Sequence, residues 1–355
     1  MSETKTLVTI QQISRIRKHI NADRLCIATV QGYEVILNPE SFGESMQTFE
    51  QLVGRKGIMF YIDSVIPTKY ENLDVFAFLT NSLMGKRVKT IKIRGEYSQG
   101  LFLPLNSLNI DESEPIGTDL TSRLGVVKFY SKEDTENTSS DSSSQSFPIW
   151  FPKTNQPRLQ EQTNLLSNCE GRTFVVTIKV DGQSATFYHN AETKETGMCS
   201  RNYRLGCNDV PEQFNIVNRK YSILEKLSSS PINIAVQGEL YGRGINGNRL
   251  GLNNFDFIVF DIYEWDELGG RYWPYDKVVQ FCKKNDFQVV PNILTTTTVF
   301  DLNRWLNLAE SQTYDQLSPK KGLPAEGIVV KTCDGQTPYV SFKVISRLYL
   351  NKHNL

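Results

Sequence analysis

The sequence predicts an α+β protein of two domains. At 355 residues the chain is long enough for two domains. Residues 1–130 are rich in short strand-like runs, whereas residues 147–355 mix strands with helices. Between them, residues 131–146 are rich in serine and acid and contain little apolar surface. Such a stretch cannot bury enough surface to offset its ordering entropy, so we expect a flexible linker there.

The N-terminal domain is expected to be mostly β. β-rich runs occupy residues 6–13, 26–37, 58–65 and 88–93. One helix is expected at 45–52, with Gly54 as its stop. Several short strands with a single helix are typical of a small Greek-key barrel of OB type.

The C-terminal domain is expected to combine strands with helices. Strands are predicted at 173–180, 184–188, 233–241, 256–263, 326–332 and 338–345. One helix is predicted at 212–227. A second follows from the helical spacing of Leu302, Trp305, Leu306 and Ala309, which we interpret as a core-facing stripe.

Composition bounds the class of protein. The chain is 39% apolar and 22% charged, as in an ordinary soluble globular protein. It has no apolar run of about eighteen residues and no apolar signal core at its start, so no membrane contact is expected. The six cysteines form no Cys-x-x-Cys pair and suggest an intracellular protein of the cytoplasm or nucleus. Net charge is zero, although residues 86–94 are locally basic, either as a phosphate-binding surface or as a solvated edge.

Lys179-Val180-Asp181-Gly182 is the most informative motif. It ends an apolar strand, and a lysine placed this way can attack the α-phosphate of a nucleoside triphosphate and expel pyrophosphate. Three fixed residues also arise by chance in roughly one chain in ten or twenty, so the motif alone is weak. Taken in isolation, a strand leading into an Asp-Gly turn is the simpler interpretation.

Residues that follow the lysine supply the other groups that nucleotidyl transfer needs. Asp181 and Glu326 can hold a hydrated divalent cation, and Glu239 can accept hydrogen bonds from ribose hydroxyls. Phe260 offers a ring to the nucleobase, and Lys343 can hold the α-phosphate. Nearby cations are expected to lower the pKa of the nucleophile. Each residue alone is as consistent with a solvated charge or core packing, but five in series are not.

This run of motifs resembles the covalent nucleotidyltransferase superfamily of polynucleotide ligases and RNA capping enzymes. The matching segments are 179–182, 238–239, 260–262, 326–331 and 341–343. The resemblance implies a ligase-type adenylyltransferase domain, in which two packed antiparallel sheets with flanking helices surround an ATP groove.

Domain order separates the branches of this superfamily. DNA ligases and capping enzymes usually carry the OB domain after the lysine, whereas here the β-rich domain precedes it and the chain ends soon after the last motif. This order is similar to the Rnl5 family of ATP-dependent RNA ligases, typified by the Deinococcus and Naegleria enzymes. Segments 21–25, 94–101 and 152–160 also resemble that family, which implies a place for Arg158 near phosphates or the RNA terminus.

The chain departs from the superfamily at two places. Ser341 stands where many ligases have the first lysine of a Lys-x-Lys pair, so phosphate binding is expected to rest on Lys343 and Lys331. Gln183 and Ser184 stand where many DNA ligases have a ribose-binding arginine, which disfavours a DNA ligase.

The resulting prediction is an ATP-dependent RNA ligase that joins 3′-hydroxyl and 5′-phosphate ends through a lysyl–AMP intermediate on Lys179. ATP is the expected AMP donor, with Mg²⁺ or Mn²⁺ as the metal. The expected partner is RNA, as a nicked duplex with RNA on the 3′-hydroxyl side, bound by a monomer. The alternatives are a DNA ligase, a capping guanylyltransferase that uses GTP, and a nucleic-acid-binding protein with an inactive transferase domain.

Overall fold

The computed structural model describes residues 6–70, 72–76, 79–82, 85–129, 145–159, 166, 169–206, 210–336 and 338–353. The chain folds into two compact units, Met1–Asp134 with Leu350–Leu355, and Thr135–Tyr349. Most of the predicted linker, residues 131–144, lies outside the described residues. Its last two residues form a short strand, so strand structure begins inside the stretch predicted to be linker. In the part of the chain described, no helix has the length and apolar character to cross a membrane.

The described part of the first unit is built from short strands, five 3-10 turns and one short α-helix, α1 (Thr121–Leu124). Its strands are β1 (Val8–Lys18), β2 (Cys26–Val30), β3 (Tyr33–Leu37), β4 (Lys56–Phe60), β5 (Ser64–Pro67), β6 (Thr80–Ser82), β7 (Gly85–Arg87), β8 (Thr90–Ile93), β9 (Glu96–Gln99), β10 (Leu101–Leu103) and β11 (Val127–Lys128). They form a five-stranded sheet in the order β10-β4-β1-β2-β3, a four-stranded sheet in the order β11-β5-β7-β6, and the pair β8-β9.

Strand β1 gives this unit its barrel-like curvature. Its first half pairs with β4 and its second half with β2, with a register shift between Ile13 and Arg15. A bulge of this kind bends a strand so that one strand can serve two parts of a closing sheet. The arrangement agrees with the predicted OB-type barrel.

The β-rich run predicted at 26–37 is confirmed as two paired strands, whereas the helix predicted in this unit needs correction. The run 26–37 is a hairpin, because Gln31 and Gly32 both have positive φ (47° and 79°), as a tight two-residue turn requires. The helix predicted at 45–52 is only a 3-10 turn, Phe49–Leu52. Leu52 is the only buried residue of that turn, so packing supports no longer helix.

The basic segment 86–94 is partly engaged within its own unit. Arg87 donates to Asp63 Oδ1 at 2.9 Å, and its guanidinium lies 3.8 Å from the centre of the Phe129 ring. Arg94 donates to the carbonyl of Asn21 at 3.2 Å. These contacts give part of the segment a structural role, which neither predicted alternative, a phosphate-binding surface or a solvated edge, included.

The second unit contains two sheets. Its strands are β12 (Gln145–Ser146), β13 (Phe174–Lys179), β14 (Gln183–Asn190), β15 (Glu195–Cys199), β16 (Tyr203–Arg204), β17 (Asn233–Gly242), β18 (Phe255–Asp266), β19 (Gly269–Tyr272), β20 (Gln288–Val289), β21 (Asn292–Thr296), β22 (Gly327–Thr332) and β23 (Ser341–Ile345). The large sheet runs β12-β16-β15-β14-β17-β18-β19, with β20 added parallel to β18. The small sheet runs β21-β13-β22-β23 and is antiparallel throughout.

Helices cover one face of each sheet. They are α2 (Glu212–Tyr221), α3 (Ile223–Ser228), α4 (Tyr275–Lys284) and α5 (Leu302–Glu310). A further helix, α6 (Arg347–His353), follows β23. Val236 and Leu240 of the large sheet belong to a core that includes residues of α2, α3 and α4. Val330 and Phe342 of the small sheet pack with Trp305 of α5. By strand alternation, Glu239 and Lys343 lie on the faces opposite to these two cores.

The helix predicted at 212–227 is broken at Ser222. Ser222 has φ 49°, a left-handed conformation that ends α2 and starts α3. Asn218 Oδ1 accepts the N–H of Leu224 at 3.0 Å and so caps the second helix. The break lets both Phe214 and Leu227 reach the same core.

Candidate active site

The Lys179 side chain lies at the end of β13 and contacts a carboxylate. Its Nζ is 2.6 Å from Glu326 Oε2, and the two side chains are 22% and 19% exposed. Lys179 is paired across the ladder with Gly327, the residue after Glu326. The structure therefore brings together the predicted nucleophile and one predicted metal-binding carboxylate, largely shielded from water but still reachable.

A buried tyrosine that sequence reasoning missed holds these residues in place. The Tyr314 hydroxyl donates to the carbonyl of Lys179 at 2.9 Å. It accepts the N–H of Asp181 at 3.0 Å and that of Glu326 at 2.9 Å. One side chain thus fixes the backbone on both sides of the candidate site. A lone tyrosine in a loop carries no periodic signal by which the sequence could have revealed it.

The charge environment of Lys179 differs from the expected one. Burial lowers the pKa of the ammonium, but the negative charges of Glu326, Glu239 and Asp181 outweigh it, so the pKa is raised. The prediction that neighbouring cations lower this pKa is wrong for the protein's own residues. A cation that offset these carboxylates would lower the pKa again.

Glu239 projects from β17 on the face opposite to Val236 and Leu240. Burial raises the pKa of Glu239 to about 8, Lys179 opposes the shift, and the charges of Glu326 and Asp181 add to it. The carboxyl group therefore changes between its protonated and its ionised form at a pH close to neutral. In either form it can hydrogen-bond a hydroxyl group, as the predicted ribose contact requires.

Positive charge converges around Lys343. Arg158 and Lys343 form an isolated parallel bridge, and the N–H of Lys343 donates to the carbonyl of Pro157 at 2.8 Å. Burial lowers the pKa of Lys343 to about 7, and the charges of Lys179, Arg158 and Arg201 act in the same direction. Arg201 was not predicted, because a charged residue beside a turn has no distinguishing pattern in the sequence.

Asp181 acts on the pKa of Lys179 but is already bonded to protein groups. It is 6% exposed. Asn246 donates to its Oδ1 at 2.8 Å, Arg249 donates to its Oδ2 at 3.0 Å, and the Tyr349 hydroxyl also donates to Oδ2. The sequence held one signal for the first two residues, a Gly- and Asn-rich loop directly after the Glu239 strand.

A bulge orients the Phe260 region. Gln237 pairs with Asp261 and Gly238 pairs with Val259, so Phe260 is the extra residue of β18. Val259 and Ile262 both reach the helix-covered core, which leaves Phe260 and Asp261 together on the other side. The sequence pattern could not reveal this bulge, because it interrupts the alternation on which face assignments depend.

Lys331 is bound to this bulge. Its Nζ is 2.8 Å from Asp261 Oδ2, 2.9 Å from the carbonyl of Phe260 and 5.3 Å from the centre of the Phe260 ring. These contacts engage its ammonium with the large sheet. The predicted phosphate contact of Lys331 has no support in this geometry.

Two glycines of the motifs are required by close approach. A Cβ at Gly182 would lie 2.2 Å from the carbonyl oxygen of Leu240 and 2.8 Å from Glu239 Cγ. At Gly327, where φ is +155°, a Cβ would lie 2.1 Å from the carbonyl oxygen of Val344. Glycine at 182 therefore allows the Lys179 motif to approach the strand that carries Glu239, and glycine at 327 allows β22 to approach β23, which carries Lys343.

The donor set fits a hard divalent cation that is partly hydrated. Within the described ranges, no three His, Cys, Asp or Glu side chains are placed to hold an ion by themselves. Mg²⁺ is commonly bound by one or two carboxylates, with waters and substrate phosphates completing the shell, and Mn²⁺ accepts similar oxygen ligands. Glu326, Glu239 and Asp181 all act on the charge of Lys179, so carboxylates of this kind surround the amine.

Comparisons with known proteins agree with this geometry. The RNA ligase family model matches residues 172–345, which include every motif from Lys179 to Lys343. An OB-fold domain model matches residues 7–105. A sequence search of the curated proteins finds no match.

Solved structures of the Naegleria gruberi RNA ligase are similar over the whole chain. A variant with ATP and Mn is 27% identical with a TM-score of 0.81, covering 99% of this chain and 100% of that chain. The structure with pyrophosphate is 28% identical with a TM-score of 0.80 and covers 99% of each chain. A variant with AMP and Mn is 27% identical with a TM-score of 0.77 and also covers 99% of each. Together with the motifs and the domain order, these matches show an RNA ligase domain at residues 172–345, and they confirm the predicted enzyme class, an ATP-dependent RNA ligase.

Proposed function

We propose that the chain seals RNA through a covalent lysyl–AMP intermediate on Lys179. The observation that carries the proposal is the contact of the Lys179 ammonium with Glu326 at 2.6 Å. Glu239 and Asp181 also act on the pKa of Lys179, and Lys179 in turn acts on the pKa of Lys343. A solvated lysine would have no such surroundings. The neighbouring RNA ligase structures contain ATP, AMP, pyrophosphate and Mn, which supports the same chemistry here.

In the first step Lys179 loses its proton to solvent and its Nζ attacks the α-phosphorus of ATP. The N–P bond forms, the bond from that phosphorus to the bridging oxygen breaks, and pyrophosphate departs with the oxygen. Lys343 and Arg158 offset the charge on the phosphates, Glu239 holds the ribose, and Phe260 stacks on the base. Asp181 and Glu326 would hold a hydrated divalent cation, which would supply further positive charge to stabilise the transition state.

In the second step an oxygen of the RNA 5′-phosphate attacks the same phosphorus, and the N–P bond breaks. Lys179 regains a proton, and the RNA end now carries AMP through a pyrophosphate linkage. In the third step the 3′-hydroxyl attacks the RNA phosphorus and loses its proton, and AMP leaves. Lys331 serves this sequence indirectly, because it holds the Phe260 backbone.

We further propose that the substrate is a nicked duplex with RNA on the 3′-hydroxyl side, bound by a monomer in the cytoplasm or nucleus. The OB-fold domain supports nucleic-acid binding, since such folds commonly bind oligonucleotides. The five cysteines among the described residues are free thiols, which suits a reducing compartment.

Sealing assays on nicked duplexes test this proposal. Two substrates share sequence and 5′-phosphate and differ only in RNA or DNA on the 3′-hydroxyl strand. With ATP and Mg²⁺ or Mn²⁺, we expect sealing of the RNA-containing nick to be at least about ten-fold faster, a difference of roughly 1.4 kcal/mol in the barrier. Replacing ATP by GTP is expected to abolish sealing.

The matched control is Lys179→Ala on a nick that already carries AMP at its 5′-phosphate. This variant should fail on the ordinary nick but seal the adenylylated one, because the third step does not use the lysine. Equal rates of sealing by the parent protein on the RNA-containing and the all-DNA 3′-hydroxyl strands would contradict the proposed substrate. A Lys179→Ala variant that seals the ordinary nick with ATP would contradict the proposed nucleophile.

A further inference from the structure

Arg249 belongs to a hydrogen-bonded cluster around Asp181. The reaction steps above give Arg249 itself no role. Its Nη1 donates to Asp181 Oδ2 at 3.0 Å and to the Tyr349 hydroxyl at 2.9 Å. The Tyr349 hydroxyl donates to the same Asp181 oxygen. Asn246 Nδ2 donates to Asp181 Oδ1 at 2.8 Å and to the carbonyl of Gly182 at 3.0 Å. Three side chains thus hold one buried carboxylate of the Lys-x-Asp-Gly motif.

The loop that carries Asn246 and Arg249 is held in an unusual conformation. Asn246, Gly247 and Asn248 all have positive φ, at 46°, 67° and 50°. Asn248 locks the turn, since it accepts the N–H of Leu252 at 3.0 Å and donates to the carbonyl of the same residue at 2.8 Å. Left-handed conformations at non-glycine residues cost energy and persist only where surrounding contacts enforce them. The loop therefore presents Arg249 in a fixed place.

The hydrogen bonds to Asp181 limit the number of carboxylate positions at which it can coordinate a cation. A carboxylate offers roughly four acceptor positions, and protein donors occupy three of them here. The guanidinium also offsets the negative charge of the carboxylate. Without Arg249, the same carboxylate would offer more open oxygen positions and more negative charge, which are the features that hard divalent cations prefer.

We propose that Arg249 is a positioning residue that keeps Asp181 beside Lys179 and prevents this carboxylate from capturing the divalent cation directly. The inference rests on the proposed function, because it assigns Arg249 a part in placing the cation for adenylyl transfer. It predicts opposite effects of one substitution. Loss of Arg249 strengthens cation binding, because a competing positive charge disappears, and slows adenylyl transfer, because the cation and Asp181 are misplaced.

The test compares Arg249→Gln with the parent protein in two measurements. Mn²⁺ binding is followed by electron paramagnetic resonance, with an ATP analogue in which a methylene group replaces the α–β bridging oxygen. We expect the Mn²⁺ dissociation constant to fall at least about three-fold. Formation of the AMP adduct from ATP at saturating Mn²⁺ is expected to slow at least about ten-fold. If Arg249 only stabilised the fold, Arg249→Gln would both bind Mn²⁺ more weakly and form the AMP adduct more slowly.

Two further variants sharpen the test. Both bonds of Arg249 come from Nη1, so the ammonium in Arg249→Lys can replace that nitrogen. This variant should bind Mn²⁺ within about two-fold of the parent and recover part of the rate. Arg243→Gln changes an exposed arginine of the same loop and should match the parent in both measurements.

The outcomes separate this inference from the proposed function. Unchanged or weaker Mn²⁺ binding by Arg249→Gln overturns the role of Arg249, whatever the activity. Absence of any AMP adduct in the parent overturns the proposed function, while the Mn²⁺ titration still decides the role of Arg249. Should Arg249→Gln fail to fold, Tyr349→Phe removes one donor and keeps the charge. It should slow adduct formation with little change in Mn²⁺ binding, and an unchanged rate would contradict the positioning role.

Discussion

Lys343 carries a charge that changes within the physiological pH range. Its pKa is lowered to about 7 by burial and by the charges of Lys179, Arg158 and Arg201. The ammonium is therefore charged below about pH 7 and loses its charge as the pH rises above that value. Because Lys343 is proposed to bind the α-phosphate, the affinity for ATP should fall as the pH rises above about 7.

Lys343→Arg tests this dependence, because a guanidinium stays charged at any pH that the protein tolerates. We expect the KM for ATP in adduct formation to rise several-fold between pH 6 and pH 8 in the parent, but to rise less in the variant. Glu239, whose pKa is raised to about 8, is present in both proteins, so the ratio of the two KM values isolates Lys343. A ratio that is constant with pH would contradict the phosphate role of Lys343.

At the scale of elements, a shielded ion pair joins the beginning of β13 to the end of β22. Arg172 donates to Asp334 at 2.7 Å and 2.9 Å, and the two side chains are 8% and 12% exposed. Arg172 also donates to the carbonyls of Gln336 and Pro338. These bonds hold the ends of the two strands that carry Lys179 and Gly327.

Arg172→Met should destabilise the protein by about 2 kcal/mol, because Asp334 loses its charge partner in a shielded place. That corresponds to a melting temperature lower by about 4 °C. Hydrogen bonding to Arg172 holds the pKa of Asp334 below its ordinary value. The pair therefore contributes above about pH 4, and the difference between variant and parent should shrink as the pH falls further.

The control for this prediction is Arg271→Met. Arg271 pairs with Glu264 at 2.9 Å, but its side chain is 76% exposed, so the pair is worth little. Its melting temperature should stay within about 1 °C of the parent. Equal effects of the two substitutions, measured by scanning calorimetry, would refute the structural role given to the Arg172–Asp334 pair.

For the molecule as a whole, regular patterns were predictable from the sequence. The alternation around Glu239 and Lys343 predicted strands and faces that the structure contains. The apolar spacing at 302–309 predicted α5. These elements are predictable because their burial follows a simple period.

Local departures from that period were not predictable. The Phe260 bulge depends on pairing with a distant strand, and the break at Ser222 on contacts of two helices with one core. The raised pKa of Lys179 depends on carboxylates that only folding brings together. Arg249 and Tyr314 lie in irregular segments, where function follows from three-dimensional contacts and not from spacing.

The central claim is that Lys179 becomes a temporary carrier of AMP. The most direct measurement is to incubate the protein with ATP and Mn²⁺, digest it, and locate the bound AMP by mass spectrometry. We expect AMP on the peptide that contains Lys179, linked to that lysine, and none in Lys179→Ala. AMP on another residue, or an adduct that persists in Lys179→Ala, would contradict it.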